Sequence, residues 1–286
     1  MRRLDTPSTA KRGYTDRAVI FDTMSELAAH IDAGGVSNRE WGSNWLGGLT
    51  KSDAARFSRE GEIARVATSD QFMAKLEDRV EFASHRFRTV DAISGGCPNV
   101  AAYLAGTPLA MRRRQRVADD LAPLTIVVDT TSSGGVDAAK LEKRGAAILA
   151  LVRLLSARRP VTLYAGNAMG NSRAEKDGFN AVLTRIETAP LDLARAAFLL
   201  GNPGAARGIG YGVVVNEFGG SDGHIPWPYD NHELARKSAP EFYGRVFPNS
   251  EILCVPPVFV KDPAIDTPEI WLTDMLAKYG GLENAA

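Results

Sequence analysis

The segment Asp129-Thr130-Thr131-Ser132-Ser133 holds the densest chemistry in the chain, because it sets one carboxylate and four hydroxyls on consecutive positions. Directly before it runs Leu124-Thr125-Ile126-Val127-Val128, an apolar, β-branched stretch that reads as a strand buried on both faces. Alternate residues leaving a strand face one way, so Asp129, Thr131 and Ser133 can converge with one anionic and two neutral oxygens. That set suits a hard cation that seeks oxygen and keeps part of its water shell, Mg2+ first, with Ca2+ and Mn2+ as alternatives. A plainer role fits the same residues equally well. Ser, Thr and Asp are favoured helix N-caps, and a helix begins after this turn near Asp137.

Two other stretches invite a chemical reading. Gly219 to Glu233 holds two of the four histidines, His224 and His232, with Asp222, Trp227, Tyr229 and Asp230. A zinc or acid–base site there would need His224, His232 and Asp230 or Asp222 to converge, and their spacing matches no helical ligand pair. The simpler reading is a long loop beside the strand end, pinned by prolines, with Asp230 or Asn231 capping the next helix. Its Trp227 and Tyr229 suit the aromatic rim of a protein contact, with His224, Asp230 and His232 around them. Gly166 to Ser172 lacks the G-K-[ST] ending of a phosphate loop, and Gly204 to Gly212 lacks the leading strand of a dinucleotide fingerprint, so both read as turns.

These residues need a frame to hold them. After the first strand, Gly134-Gly135 release the chain into a segment where Leu141, Gly145, Ile148, Leu149, Val152 and Leu155 recur at helical spacing. Arg158-Arg159-Pro160 ends that helix, and Val161 to Tyr164 starts a second strand, giving a strand–helix–strand crossover. The alternation continues with a strand at Ala181 to Ile186, a helix at Pro190 to Leu200 and a strand at Gly212 to Val215. A further strand at Glu251 to Val255 lies between helices at Asn231 to Tyr243 and Pro268 to Tyr279. The expected fold is α/β, with a doubly wound, mostly parallel sheet of Rossmann-like form over residues 121–286. In such sheets, ligands bind outside the carboxyl ends of the strands. Residues 1–120 read as a separate, mixed and mainly helical region, with helical patterns at Thr23 to Ile31 and Ser69 to Phe82 and weak strand signals.

Composition narrows the function classes. With 34 basic and 34 acidic residues among 286, no global field favours nucleic acid or a membrane surface. The densest basic run is Met111 to Arg116. Asp119 and Asp120 follow it, so it reads as a solvated or ion-paired face, and nucleic acid could enter only through Arg112 to Arg116. No stretch has the roughly 18 apolar residues of a membrane span, and the opening residues lack the apolar core of a secretory signal. Cys97 and Cys254 are far apart and fit a reducing compartment, so a cytoplasmic protein is expected.

The pattern Asp129-x-Thr131-x-Ser133 after an apolar strand resembles the D-x-S-x-S signature of von Willebrand factor A-type domains, with threonine in the middle place. The resemblance covers residues 121–286 and implies a metal-ion-dependent adhesion site. Within it, Thr188, before the Pro190 helix, resembles the loop threonine that completes the site. At the fourth strand, where the family often has T-D-G, this chain has Asn216-Glu217, so either residue would stand for the acidic ligand. Pro98 to Pro108 and the arginine-rich stretch after it are similar to bacteriophage-encoded proteins, which implies action in a host cytoplasm or a virion. The resemblance favours a cation-dependent binding module that engages an acidic side chain of a protein partner. A metal-assisted hydrolase using Asp129 with the His224 to Glu233 loop is the alternative from a second class. A virion or assembly component that associates with copies of itself is the third.

Overall fold

The computed structural model describes residues 1–7, 15–36, 41–79, 86–117, 121–132, 135–170, 177–218, 232–258 and 262–280. Strands β1 (Arg2–Pro7) and β2 (Thr15–Phe21) lead into helices α1 (Met24–Asp32), α2 (Lys51–Glu60) and α3 (Ile63–Arg79). Next come β3 (Arg86–Ala92), β4 (Cys97–Pro98), the short α4 (Val100–Leu104) and β5 (Met111–Val117). The chain then runs through β6 (Leu124–Asp129), α5 (Ala138–Ser156), β7 (Val161–Gly170), β8 (Asp177–Ile186), α6 (Leu193–Gly201) and α7 (Gly210–Phe218). It ends with α8 (His232–Val246), β9 (Glu251–Val255), α9 (Pro263–Asp266) and α10 (Pro268–Tyr279).

The fold is α/β around a mixed, mainly parallel sheet of six strands in the order β1-β2-β8-β7-β6-β9. β6 runs parallel to both β7 and β9, and β2 runs parallel to β8; the pairs β7/β8 and β1/β2 are antiparallel. Every residue of β6 is buried, Thr125 and Asp129 included, as suits its β-branched and largely apolar run. The pleat divides the strand between two cores. Leu124, Ile126 and Val128 join α5, α6 and α7 in the larger cluster, while Val127 packs with Tyr164, Phe179, Phe242 and Tyr243 under α8.

Three departures from the expected pattern share a cause in the sheet's neighbour relations. Gly212 to Val215, read as a strand from its valines, lies in helix α7, where Val213 and Val214 bury one face in the larger core. β propensity is weak when tertiary packing opposes it, and the sheet has its neighbours already. The strand after β7 returns antiparallel instead of continuing the parallel alternation, with Ile186 opposite Leu163. The position beyond β8 is then filled from the start of the chain. β2 pairs with β8 from Arg17↔Asn180 to Phe21↔Thr184, so the sheet crosses the boundary expected near residue 120.

A bulge at Thr15/Arg17 marks where β2 joins, and Asp16 is buried there. Its carboxylate accepts from the Phe179 amide at 2.8 Å and from Arg245 of α8 at 2.9 Å. β3, β4 and β5 form a second sheet in the order β3-β5-β4, where the sequence carried weak strand signals. Gly166 to Gly170, read as part of a turn, extends β7; Gly204 to Gly212 is a wide helical turn, Ala205–Ile209, running into α7. Among the described residues, no helix is long and apolar enough to cross a membrane.

Gly166 sits between Asp129 of β6 and Leu183 of β8, and a β-carbon there would stand 1.7 Å from the Val182 carbonyl oxygen. A strand backbone cannot move aside without breaking its ladder. Gly166→Ala is therefore expected to cost about 1–3 kcal/mol or more, read as a lower denaturation midpoint in urea. A variant as stable as the parent would mean that these strands are not so closely packed.

Candidate functional site

Asp129 at the C-terminal end of β6, the turn after it and Asn167 of the adjacent β7 lie where a sheet of this kind offers a ligand crevice. Asp129 is the last residue of β6, and its Oδ1 accepts from the Thr131 amide at 2.9 Å. That bond closes a tight turn of the sort aspartate forms two residues ahead of itself. The helix that follows has its own cap, because the Asp137 side chain accepts from the Lys140 amide. Asp129 and Thr131 are thus not occupied in capping α5.

Thr130, Thr131 and Asn167 are knitted together. The Thr130 hydroxyl lies 2.9 Å from the Gly166 carbonyl oxygen and 3.2 Å from Asn167 Oδ1, while Asn167 Nδ2 donates to Thr131 Oγ1 and to the Ala206 carbonyl, both at 3.1 Å. The Ala206 carbonyl belongs to the Ala205–Ile209 turn, whose irregular winding hands an oxygen to a side chain. A β-carbon on Gly210 would stand 1.6 Å from Asn167 Oδ1, so glycine is required for that approach.

A guanidinium anchors the other side. Arg144 of α5 is buried at 2% exposure; its Nε donates to Asp262 Oδ2 at 3.0 Å, and its remaining nitrogens donate to the Asp129 and Pro256 carbonyls. One arginine thereby ties the ends of β6 and β9 to α5 and to the start of α9. A second, Arg207, donates to Ser132 Oγ at 3.2 Å and lies 4.3 Å over the Trp45 ring.

On the α8 side, a cavity of about 180 Å³ opens between Val127, Asp129, Phe179, Tyr243, Cys254 and Pro257. Its walls are mostly apolar. Burial there raises the Asp129 carboxyl from an ordinary 3.8 to about 6, against the opposing pull of the Thr131 hydrogen bonds and the Arg144 charge. The same burial, with the Asp129 charge nearby, pushes the Cys254 thiol up to about 12 and the Tyr243 hydroxyl well above its usual range.

Of the expected site residues, Asp129 and Thr131 meet. Ser133 lies outside the described residues, as do His224, Trp227, Tyr229 and Asp230 of the long loop; His232 is the first residue of α8. Thr188 is carried to the opposite end of the sheet, where its hydroxyl donates to the Val161 carbonyl at 2.6 Å. The antiparallel return of β8 is the reason: Val161 faces Leu124 at the start of β6, about 17 Å from Asp129 along a strand. Asn216 and Glu217 end helix α7 and not a strand, and they are engaged elsewhere. Asn216 donates to the Gly34 carbonyl, and Glu217 pairs with Arg3 at 2.8 Å and stands 3.7 Å from His30. The strand that lies beside β6 is β9, followed by Pro256-Pro257. The first described carboxylate after it is Asp262, which is taken by Arg144. Among the described residues, no group of three or more His, Cys, Asp or Glu side chains is placed to hold a metal ion.

Arg144, Asp262 and Asn167 were not singled out in the sequence, although Arg144 left a signal there. It falls on the apolar stripe of its helix, three residues after Leu141 and four before Ile148, where a charge must have buried partners.

The fold and strand-end crevice define an α/β protein with a carboxylate at the C-terminal end of a buried parallel strand. The chain matches DUF7192, a domain of unknown function, over residues 6–247, and it belongs to that family. That span contains both β2 and β8. No curated protein and no solved structure matches the chain.

Two stability effects follow. A carboxyl with a raised value in the fold stabilises below its unfolded value near 4, and the contribution is lost as pH climbs through about 6. Asp129→Asn keeps an acceptor for the Thr131 amide without the charge. It should be more stable than the parent at pH 7 by up to roughly 3 kcal/mol, with the gap closing toward pH 4. Parallel pH profiles in chemical denaturation would count against the buried, raised carboxyl. Asp262→Ala leaves the Arg144 guanidinium buried without its partner and should cost about 3–5 kcal/mol. The double variant Arg144→Met/Asp262→Leu should recover much of that loss; a double variant as damaged as Asp262→Ala would argue against charge burial as the cause.

Proposed function

We propose that this protein is a binding module of the von Willebrand A kind, doubly wound, in which a divalent cation at the Asp129 strand end engages an acidic side chain of a protein partner. The cation is Mg2+, with Ca2+ or Mn2+ as substitutes. The observation that carries the reading is Asp129 itself, a buried carboxylate beside the Thr131 hydroxyl, with the helix-capping role filled by Asp137. Burial raises its pKa by keeping water from the ionised carboxylate. A bound ion supplies local positive charge that makes a single carboxylate contact strong.

The donor set limits that site. Asp129 and Thr131 offer two oxygens, Thr188, Asn216 and Glu217 stand elsewhere, and water fills the remaining positions, as it commonly does for Mg2+. Arg144 and Arg207 border the turn, so a dication competes with fixed positive charge. Affinity in the roughly millimolar class follows from so few charged ligands. Two free thiols, Cys97 and Cys254, agree with a reducing cytoplasm, which for a bacteriophage protein is that of the host.

A second reading has its own support. A carboxyl near pH 6 facing a mostly apolar cavity is poised for acid–base work, as in a hydrolase.

Mn2+ binding to the full chain, followed by electron paramagnetic resonance, tests the first reading. Affinity should rise by about tenfold per pH unit up to about pH 6 and then level off, because the carboxyl must lose its proton to bind. Asp129→Asn should abolish binding and Thr131→Val should weaken it. Equal Mn2+ uptake by the parent and Asp129→Asn would sink the cation site.

A further inference from the structure

The smaller sheet carries a charge that the rest of the chain does not. Residues 86–117 contain six arginines, Arg86, Arg88, Arg112, Arg113, Arg114 and Arg116, against the single acid Asp91. The remainder of the chain then holds 28 basic and 33 acidic residues, so overall neutrality hides a local excess of five positive charges. Asp91 is already engaged, accepting from Asn99 Nδ2 at 3.1 Å and standing 3.6 Å from Arg112.

The backbone arranges these charges in rows. β3 and β5 pair antiparallel without a break from Arg86↔Val117 to Ala92↔Met111, a two-stranded shaft roughly 20 Å long, with β4 beside β5 at one end. Arg112, Arg114 and Arg116 occupy alternate positions of β5, and Arg86 and Arg88 alternate positions of β3. At the end where β3 gives way to β4, apolar side chains gather. Ile93, Val100, Tyr103, Leu104 and Leu109 are each between 44% and 79% exposed, five of the nine exposed large apolar side chains among the described residues.

We infer that this ribbon is a nucleic-acid interface, with the Arg112, Arg114 and Arg116 row laid along the phosphates of a duplex and its apolar tip, Tyr103 included, set into a groove. Guanidinium groups match phosphate geometry in pairs, and the arginine-rich ribbon contains no lysine. Basic ribbons that read duplex grooves, and apolar side chains that wedge between base steps, are established modes of recognition. A membrane is the rival polyanion, and the shaft's length argues against it. With the tip at a lipid surface, Arg86 and Arg116 would stand about 17 Å away or more, two Debye lengths at physiological salt. By register, Arg112, Arg114 and Arg116 share one face of the ribbon and Arg86, Arg88 and Arg113 the other, so a duplex lying along the shaft meets one row of three along its length. The inference is independent of the Asp129 site.

The test uses the full chain and a short fluorescent DNA duplex of arbitrary sequence, titrated at several salt concentrations. Binding is expected at low salt, with log K falling against log salt at a slope of about −3. Replacing Arg112, Arg114 and Arg116 by glutamine should remove most of that slope, whereas lysine at the same three positions should preserve it. Tyr103→Ala should weaken binding several-fold with the slope unchanged. Any of four results overturns the proposal: no binding at low salt, an unchanged slope in the glutamine variant, equal loss in the lysine variant, or arginine-dependent binding to phosphatidylserine vesicles in preference to DNA.

Discussion

A positive charge held in the dry interior constrains the whole C-terminal edge of the sheet. Burial disfavours the charged Arg144 guanidinium and pulls its pKa down, yet arginine keeps its proton in proteins, so the chain must surround it with oxygens. It does so with the Asp262 carboxylate and the carbonyls where β6 and β9 end. Those requirements fix how far each strand extends, where α9 begins and how α5 lies across the sheet. The turn from Asp129 to Ser132 is stretched between that anchor and the Asn167 cluster. This gives Asp129 and Thr131 a set geometry in a segment that would otherwise be a pliable loop.

The pleat of β6 gives its residues different neighbours. The Asp129 side chain enters the mostly apolar cavity under α8, while its carbonyl meets Arg144 from α5. The same residue is therefore electrostatically poor in one direction and well compensated in the other, which explains a raised carboxyl beside an arginine. The arginine ribbon is chemically the opposite. It gathers positive charge on a separate small sheet.

The sequence made the central elements legible because their signals were local. A β-branched, largely apolar run gave β6, helical spacing gave α5, and Asp129 with Thr131 stood out as oxygen donors at a strand end. What stayed hidden depended on distant partners. The three valines of α7 look like a strand until β2 is seen to hold the place beside β8, and nothing near residue 15 announces a partner near residue 180. Thr188 was matched by its spacing along the chain, but the reversal of β8 decides which end of the sheet it reaches. Arg144 was the exception: its clue was local, a charge on an apolar stripe, and only its partners were remote.

The pairing of β2 with β8 also sets an order of events in the cell. Asp16 receives its hydrogen bond from Phe179, 163 residues further along. At translation speeds of about 5–20 residues per second, roughly ten to thirty seconds separate the emergence of the two from the ribosome. Through that interval the first hairpin has an open edge and a carboxylate awaiting its donor. The nascent chain must keep that edge from pairing elsewhere until the strand that completes it arrives.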